Sequence, residues 1–268
     1  MRKIEQKHAE GESIMGLERI DFIREQLKSK KVVYVNQLAE KLFVSPSTIR
    51  RDLGHLEKEG LVRRFYGGAK LMEHPSNEIP FFTRKEENLA AKEIIAELAA
   101  DLVADNQVIS LDATTTAATL PRFLHNKENL KIITTSAQIA LDCLDLLLPA
   151  RIFCTGGWLS ATSRGFTGET TRMRIAEYYT DLAFFSARAF SWENGITDVN
   201  EEDVCLKQEM IRRTRKAVFL CDHTKFDQIS YRLVCGAAEL DCLVTDRRPS
   251  DEWLKRLESA GVEVIFPE

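Results

Sequence analysis

The chain has 268 residues, 44% of them hydrophobic and 29% charged, with a formal net charge of -4. This length allows one large domain or two smaller ones, and the composition predicts a well-filled, water-soluble core. No apolar run approaches the ~20 residues that span a bilayer, and the opening Met1-Arg2-Lys3-Ile4-Glu5-Gln6 lacks the apolar centre of a secretory signal, so a cytoplasmic location is expected.

Leu17, Ile20, Ile23 and Leu27 recur at helical spacing and predict a first helix to about Ser29. Lys30 to Val35 is short and β-branched, as in a strand or an extended lead-in. Asn36 is placed to cap a short second helix with Leu38, Ala39 and Leu42 facing inward, and Phe43-Val44 is its turn. Ser45 then caps a third helix, with Pro46 at the first helical position, where a missing N–H costs nothing. Ile49, Leu53 and Leu56 share its core side. Ser47, Arg51, His55 and Lys58 point the opposite way, Thr48 and Arg50 flank them, and Gly60 ends the helix. Short hydroxyls and arginines at the start of an exposed helix are what reading the major groove requires. Two short helices joined by a tight turn make a helix-turn-helix.

Leu61 to Phe65 and Ala69 to Leu71 flank a Tyr66-Gly67-Gly68 turn and predict a hairpin. After a recognition helix such a hairpin is a wing, which places Arg63, Arg64 and Lys70 near phosphates. From Leu17 to Lys70 there are twelve basic residues against seven acidic ones, so a basic unit is joined to an acidic remainder. Only the basic unit is suited to a polyanion. Glu73 to Pro80 is polar, carries two prolines and reads as a linker. The resulting division is a DNA-binding domain at 15–72, a linker at 73–80 and an effector and oligomerisation domain at 81–268.

From Phe81 onward strands and helices alternate. Lys85 to Ala104 reads as one alanine-rich helix, followed by strands at Val108–Leu111, Lys131–Thr134 and Arg151–Cys154, with helices at Thr115–Leu124 and Ala137–Leu148 between them. Later strands are expected at Leu182–Phe185, Ala217–Leu220, Cys242–Thr245 and Val262–Phe266, with helices near Glu202–Thr214 and Asp251–Ala260. The pattern implies a parallel sheet covered on both faces. Six cysteines form no Cys-x-x-Cys pair and no Cys/His cluster, so reduced thiols without a metal are expected.

Open α/β sheets bind ligands at the carboxyl ends of their strands. Those positions hold Asp112, Thr114, Thr115 and Thr116, then Thr135 and Ser136, then Gly156 and Gly157, and finally Asp222 and Lys225. Hydroxyls and helical N–H groups beside one cation suit an anion, phosphate above all. Each residue alone also fits a plain cap or a solvated surface position.

The runs Val44 to Leu53, Leu56 to Arg64 and Gly67 to Ala69 resemble the signature of the DeoR family of bacterial transcription regulators. Looser matches follow at Leu111-Asp112, Thr115-Thr116, Gly156-Gly157, Asp181, Gly195, Asp222, Lys225-Phe226 and Thr245-Asp246. The resemblance implies a winged helix-turn-helix joined to a sensor related in fold to ribose-5-phosphate isomerase and glucosamine-6-phosphate deaminase. It further implies a repressor of a carbohydrate operon, released by a phosphorylated sugar and needing no cofactor. The chain departs from the family pattern at Thr114 and Thr135 and over Ser186 to Phe190, where Arg188 is either a substitute phosphate contact or a surface ion-pairing residue. Tight operator binding needs a homo-oligomer, dimer or tetramer, since one winged unit buries too little surface. The alternatives are a sugar-phosphate isomerase or deaminase with an appended DNA-binding domain, and a regulator without a ligand. Catalysis needs a general base, and Asp112 and Asp222 are the only acids at those strand ends, so no catalytic set is assigned.

Overall fold

The computed structural model describes residues 19–27, 29–58, 62–71 and 79–268. Leu17, Gly60, Leu61 and residues 73–78 of the expected linker lie outside them. The chain divides into two units, Met1–Pro75 and Ser76–Glu268.

In the first unit residues 19–27 are helical, and the strand Val32–Tyr34 leads into helices Val35–Lys41 and Pro46–Lys58. The hairpin Val62–Phe65 and Gly68–Leu71 follows, and Val32–Tyr34 pairs antiparallel with its second strand. Ile23, Leu27, Leu38, Ile49, Leu53 and Leu56 fill the shared core. The second helix begins at Val35 with no side-chain cap, so Asn36 does not cap it. The reason is tertiary: the Gly67 carbonyl accepts the Val35 N–H at 2.9 Å, doing the work of a cap. Gly68 must be glycine, because a Cβ there would lie 2.3 Å from the Val33 carbonyl oxygen.

The second unit is built on a seven-stranded parallel sheet. Its order is Glu263–Ile265, Cys242–Val244, Thr214–Leu220, Thr180–Phe185, Val108–Leu111, Leu130–Thr134, Ala150–Cys154. Alternation along the strands feeds two cores. Phe184, Val218 and Val244 join Ile95, Ala99 and Leu120 on one face, and Phe185, Phe219 and Leu243 join Phe190 and Trp253 on the other. A three-stranded antiparallel sheet (Ala189–Ser191, Gly195–Asp198, Arg232–Cys235), the ribbon Trp158–Leu159 with Phe166–Thr167 and the helix Glu169–Ala176 were not expected from the sequence.

Two helices differ from expectation. Residues 85–104 do not form one helix; helices Phe81–Glu86 and Leu89–Asp101 meet at an elbow where Asn88 takes a left-handed φ of 52°. The segment after Val108–Leu111 is a 3₁₀ helix, Ala117–Phe123, with Pro121 inside it. Proline has no N–H to give an α-helical ladder, and a short tight helix tolerates that loss. All six cysteines are free, and burial pushes the Cys143, Cys235 and Cys242 thiols up to about 12.

Helix Pro46–Lys58 is fixed to the helix at residues 19–27 by a largely buried ion pair. Arg19 donates from Nε to Asp52 Oδ2 at 2.6 Å and from Nη2 to Oδ1 at 3.1 Å, and Asp52 is only 3% exposed. Replacing Arg19 with Ala strands a buried carboxylate, so the first unit should lose roughly 3 kcal/mol in urea unfolding. A loss below ~1 kcal/mol would class the pair with ordinary surface bridges.

Candidate functional site

At the start of helix Pro46–Lys58, Ser45 Oγ accepts the Thr48 N–H at 3.2 Å and lies 2.7 Å from Ser47 Oγ and 2.9 Å from Thr48 Oγ1. Three hydroxyls are thus gathered at the positive end of the helix. Ser47, Arg50, Arg51 and His55 are exposed and Thr48 is half-buried. Among the described residues no side chain engages Arg50, Arg51 or His55.

The hairpin arranges its charges unequally. Arg63 stands directly across the ladder from Lys70, and both are exposed. Like charges in that register destabilise a hairpin unless a polyanion lies against them. Arg64 is different: its N–H and its Nε donate to Glu57 at 2.9 and 2.7 Å. The main-chain bond and then the guanidinium hold the Glu57 carboxyl below its ordinary value. Arg64 is therefore the joint between hairpin and helix, while Arg63 and Lys70 remain the outward cations.

In the second unit a cavity of about 370 Å³ opens at the carboxyl ends of Val108–Leu111, Thr180–Phe185 and Thr214–Leu220. Asp112 sits at its floor, 2% exposed. Its Oδ1 accepts from the Thr114 N–H at 3.0 Å and the Thr114 hydroxyl at 2.5 Å, and its Oδ2 accepts from the Ser186 N–H at 3.1 Å. Burial pushes this carboxyl up, against the opposing pull of Lys207, whose Nζ is 3.9 Å away. Burial opposes the Lys207 charge as well, but Asp198 and then Asp112 hold its pKa above the ordinary value.

A second arm begins at Asp222, which repeats the device of Asp112. Its Oδ1 accepts from the Thr224 N–H at 3.0 Å and also from the Thr224 hydroxyl. Lys225 Nζ lies 3.6 Å from Asp222 Oδ2 and donates to Ser186 Oγ at 2.6 Å, and that hydroxyl donates to the Leu220 carbonyl at 2.6 Å. Ser186 thus joins the two arms. Burial works against the Asp222 charge, yet Lys225 and the Thr224 bonds keep the carboxyl below its ordinary value. Arg188 is exposed on the cavity wall, with no partner among the described residues.

Of the residues expected at strand ends, the cavity gathers Asp112, Thr114, Thr115, Thr116, Thr135, Arg188, Asp222 and Lys225. Ser136, Gly156 and Gly157 are not among its walls. Ser136 caps helix Ala137–Asp145 by accepting the Ile139 N–H at 3.2 Å. Gly156 accepts at its carbonyl from Thr171 Oγ1 at 2.7 Å, and a Cβ on Gly157 would lie 2.1 Å from that same oxygen. Those glycines admit the helix Glu169–Ala176. The strand before them, Ala150–Cys154, is an edge strand two places from Val108–Leu111, which is why its end lies apart from the cavity.

The sequence reading missed Arg84, Lys92, Ser186, Asp198 and Lys207. Two of these carried a signal. Lys92 lies on the buried stripe with Ile95, Ala96 and Ala99, and Lys207 on that with Val204 and Met210. A lysine on an apolar helix face is either snorkelling or held; these are 4% and 3% exposed, and both are held. Lys92 Nζ donates to the Glu87 carbonyl at 2.6 Å and to that of Arg84. Among the described residues no cluster suits a metal ion and no helix is long and apolar enough to cross a membrane.

Residues 19–74 match the DeoR-like helix-turn-helix domain, and residues 87–247 match the DeoR C-terminal sensor domain. The chain is 36% identical to the HTH-type transcriptional regulator GolR of Listeria innocua, over 94% of this chain and 98% of that protein. It is 29% identical to the glycerol-3-phosphate regulon repressor of Escherichia coli K12, over 85% of this chain and 89% of that one. Ribose 5-phosphate isomerase A of Methanocaldococcus jannaschii aligns with 52% of this chain and 55% of its own at 20% identity and a TM-score of 0.38, too slight a likeness to bear on the ligand.

Burial, with Lys225 nearby, lowers the Lys92 pKa from 10.5 to about 8, while Asp222 and Glu87 partly offset the shift. Between these values the unfolded chain holds a proton that the folded chain has released, so folding is penalised below pH 8 and the penalty fades toward pH 10.5. The stability of the wild type relative to Lys92→Met should therefore rise from pH 8 to pH 10 in chemical unfolding. A difference independent of pH would place Lys92 in water.

Proposed function

We propose that this chain, which belongs to the DeoR family of transcription regulators, represses a carbohydrate-metabolism operon and leaves its operator when a phosphorylated sugar fills the second unit. In this reading the DNA-binding domain spans 15–72, the linker 73–80 and the effector and oligomerisation domain 81–268. The protein works in the cytoplasm as a homo-oligomer, dimer or tetramer, on double-stranded DNA.

Ser45, Ser47, Thr48, Arg50, Arg51 and His55 face the major groove, with Arg51 at base edges. Arg63 and Lys70 hold the flanking phosphates. Arg64 is restrained by Glu57 and sets the angle of the wing.

The observation that carries the effector reading is the make-up of the cavity wall. Cations and acids alternate there: Lys92, Arg188, Lys207 and Lys225 stand among Asp112, Asp198, Asp203 and Asp222. A dianion alone would suit a uniformly basic pocket, and a neutral sugar would need no cation. A molecule bearing one phosphate and several hydroxyls uses both sets. Its phosphate pairs with Lys225 and Arg188, and its hydroxyls donate to the carboxylates. Glycerol 3-phosphate, named for one relative's regulon, has that chemistry. In this reading Asp112 and Asp222, each already accepting from a neighbouring threonine, orient the ligand's hydroxyls, and no base is assigned to a reaction.

Three measurements test this. In mobility-shift titrations on the DNA upstream of its own gene, Arg51→Ala should weaken specific binding by about 1–3 kcal/mol. Equal affinity of wild type and variant would remove Arg51 from the reading face. Arg63→Ala should lower the salt slope of binding by roughly 1 without changing sequence preference. Calorimetry against glucose 6-phosphate, fructose 1-phosphate, ribose 5-phosphate and glycerol 3-phosphate should find a binder whose affinity falls at least about tenfold in Lys225→Met. Silence across such a panel would favour a regulator without a ligand.

A further inference from the structure

We infer that Lys92 is a latch: its ammonium holds the elbow through which the chain enters the second unit, and it faces the same cavity that receives the effector. The inference rests on the cavity being the effector site. The elbow is made at residues 87–88, where helix Phe81–Glu86 ends and Leu89–Asp101 begins. At the end of the first helix the Thr83 carbonyl accepts the Glu87 N–H at 3.3 Å, and the last carbonyls lie past the end of the ladder. Lys92 Nζ reaches back to the carbonyls of Arg84 and Glu87, and Thr115 Oγ1 lies 3.4 Å from the Arg84 carbonyl. Arg84 Nε in turn donates to the Ile79 carbonyl at 2.8 Å. The bonds therefore run from the cavity through the elbow to Ile79.

The latch is poised to open because its ammonium is ill-placed. It is 4% exposed and stands near Lys225 and Arg84, which repel it, and Asp222 and Glu87, which attract it. Two neutral carbonyls are weak compensation for a buried charge. A phosphate monoester entering beside Lys225 offers charged oxygens, and an ionic acceptor makes a bond about twice as strong as a neutral one. The ammonium swings to the phosphate, and the carbonyls of Arg84 and Glu87 lose their donor. The elbow then loosens, and Arg84 no longer fixes Ile79. The effector thus favours the open elbow by its differential contact with Lys92, which is what a coupling between two sites requires.

The test uses the full chain on its operator DNA, with the tightest-binding phosphate of the four-compound panel as probe. In the wild type, saturating probe should weaken operator binding about tenfold and speed hydrogen exchange across residues 81–90. Lys92→Met lacks the latch, so it should bind the operator about tenfold more weakly without probe, exchange fast in that segment, and change little when probe is added. Lys92→Arg keeps a charged donor and should restore the response. If Lys92→Met fails to fold, Thr115→Val removes the neighbouring bond to the Arg84 carbonyl and should speed hydrogen exchange across residues 81–90 in the absence of probe. Wild-type-like operator binding by Lys92→Met overturns the latch, whether the probe still releases it or no longer binds; an unchanged Thr115→Val does the same. A wild type that binds the probe without release, or binds no member of the panel, overturns the proposed function and the latch together.

Discussion

A parallel sheet that is wound in both directions from a single pair of strands cannot cover the ends of that pair with its own crossovers. Here the pair is Val108–Leu111 and Thr180–Phe185. From the first strand the chain moves outward to Leu130–Thr134 and Ala150–Cys154, and from the second it moves the other way to Thr214–Leu220 and beyond. The connections diverge and leave a crevice at the carboxyl ends. Asp112 and Ser186 are the residues that directly follow the two strands. Their mutual bond, Ser186 N–H to Asp112 Oδ2 at 3.1 Å, closes the crevice floor. Thr114, Thr224, Lys207 and Lys225 are arranged around that bond.

The crevice is filled with charge that the fold would be easier to build without. Two lysines, Lys92 and Lys207, and two aspartates, Asp112 and Asp222, are almost wholly buried there. Replacing such groups with apolar ones of similar size is often neutral or stabilising. Their mutual bonds offset much of the desolvation, and the arrangement is held across elements because Asp112 accepts from both Thr114 and Ser186, and Ser186 in turn accepts from Lys225. Rigid, pre-oriented charge binds a polar ligand with little further loss of conformational freedom.

Much of the first unit could be read from the sequence because its signals are local. Ser45, Pro46 and the spacing of Ile49, Leu53 and Leu56 specify the third helix without help from the rest of the chain. Where a distant group replaced a local one, the reading failed: Asn36 was expected to cap a helix whose first N–H is taken by Gly67. In the second unit the strands were legible as short apolar runs, but their order was not. Every strand end therefore looked equally suited to a ligand. Gly156 and Gly157 were included although their strand lies at the sheet edge, and Ser186 was passed over although its strand is central. The elbow at Asn88 was hidden by an alanine-rich stretch that propensity alone would keep helical. Lys92, on the apolar stripe, was the one residue in that stretch inconsistent with an unbroken amphipathic helix.

The ion pair between Arg19 and Asp52 has a consequence for how such a protein changes over time. With the helix seated by Ile49, Leu53, Leu56 and Asp52, the side chains of its outer positions Arg50, Arg51 and His55 engage no partner among the described residues. Substitutions at exposed positions of this kind usually shift stability by less than about 0.5 kcal/mol. If that face reads the promoter, as proposed, a lineage can retarget the protein by point changes on one side of one helix while the folding of the unit stays untouched.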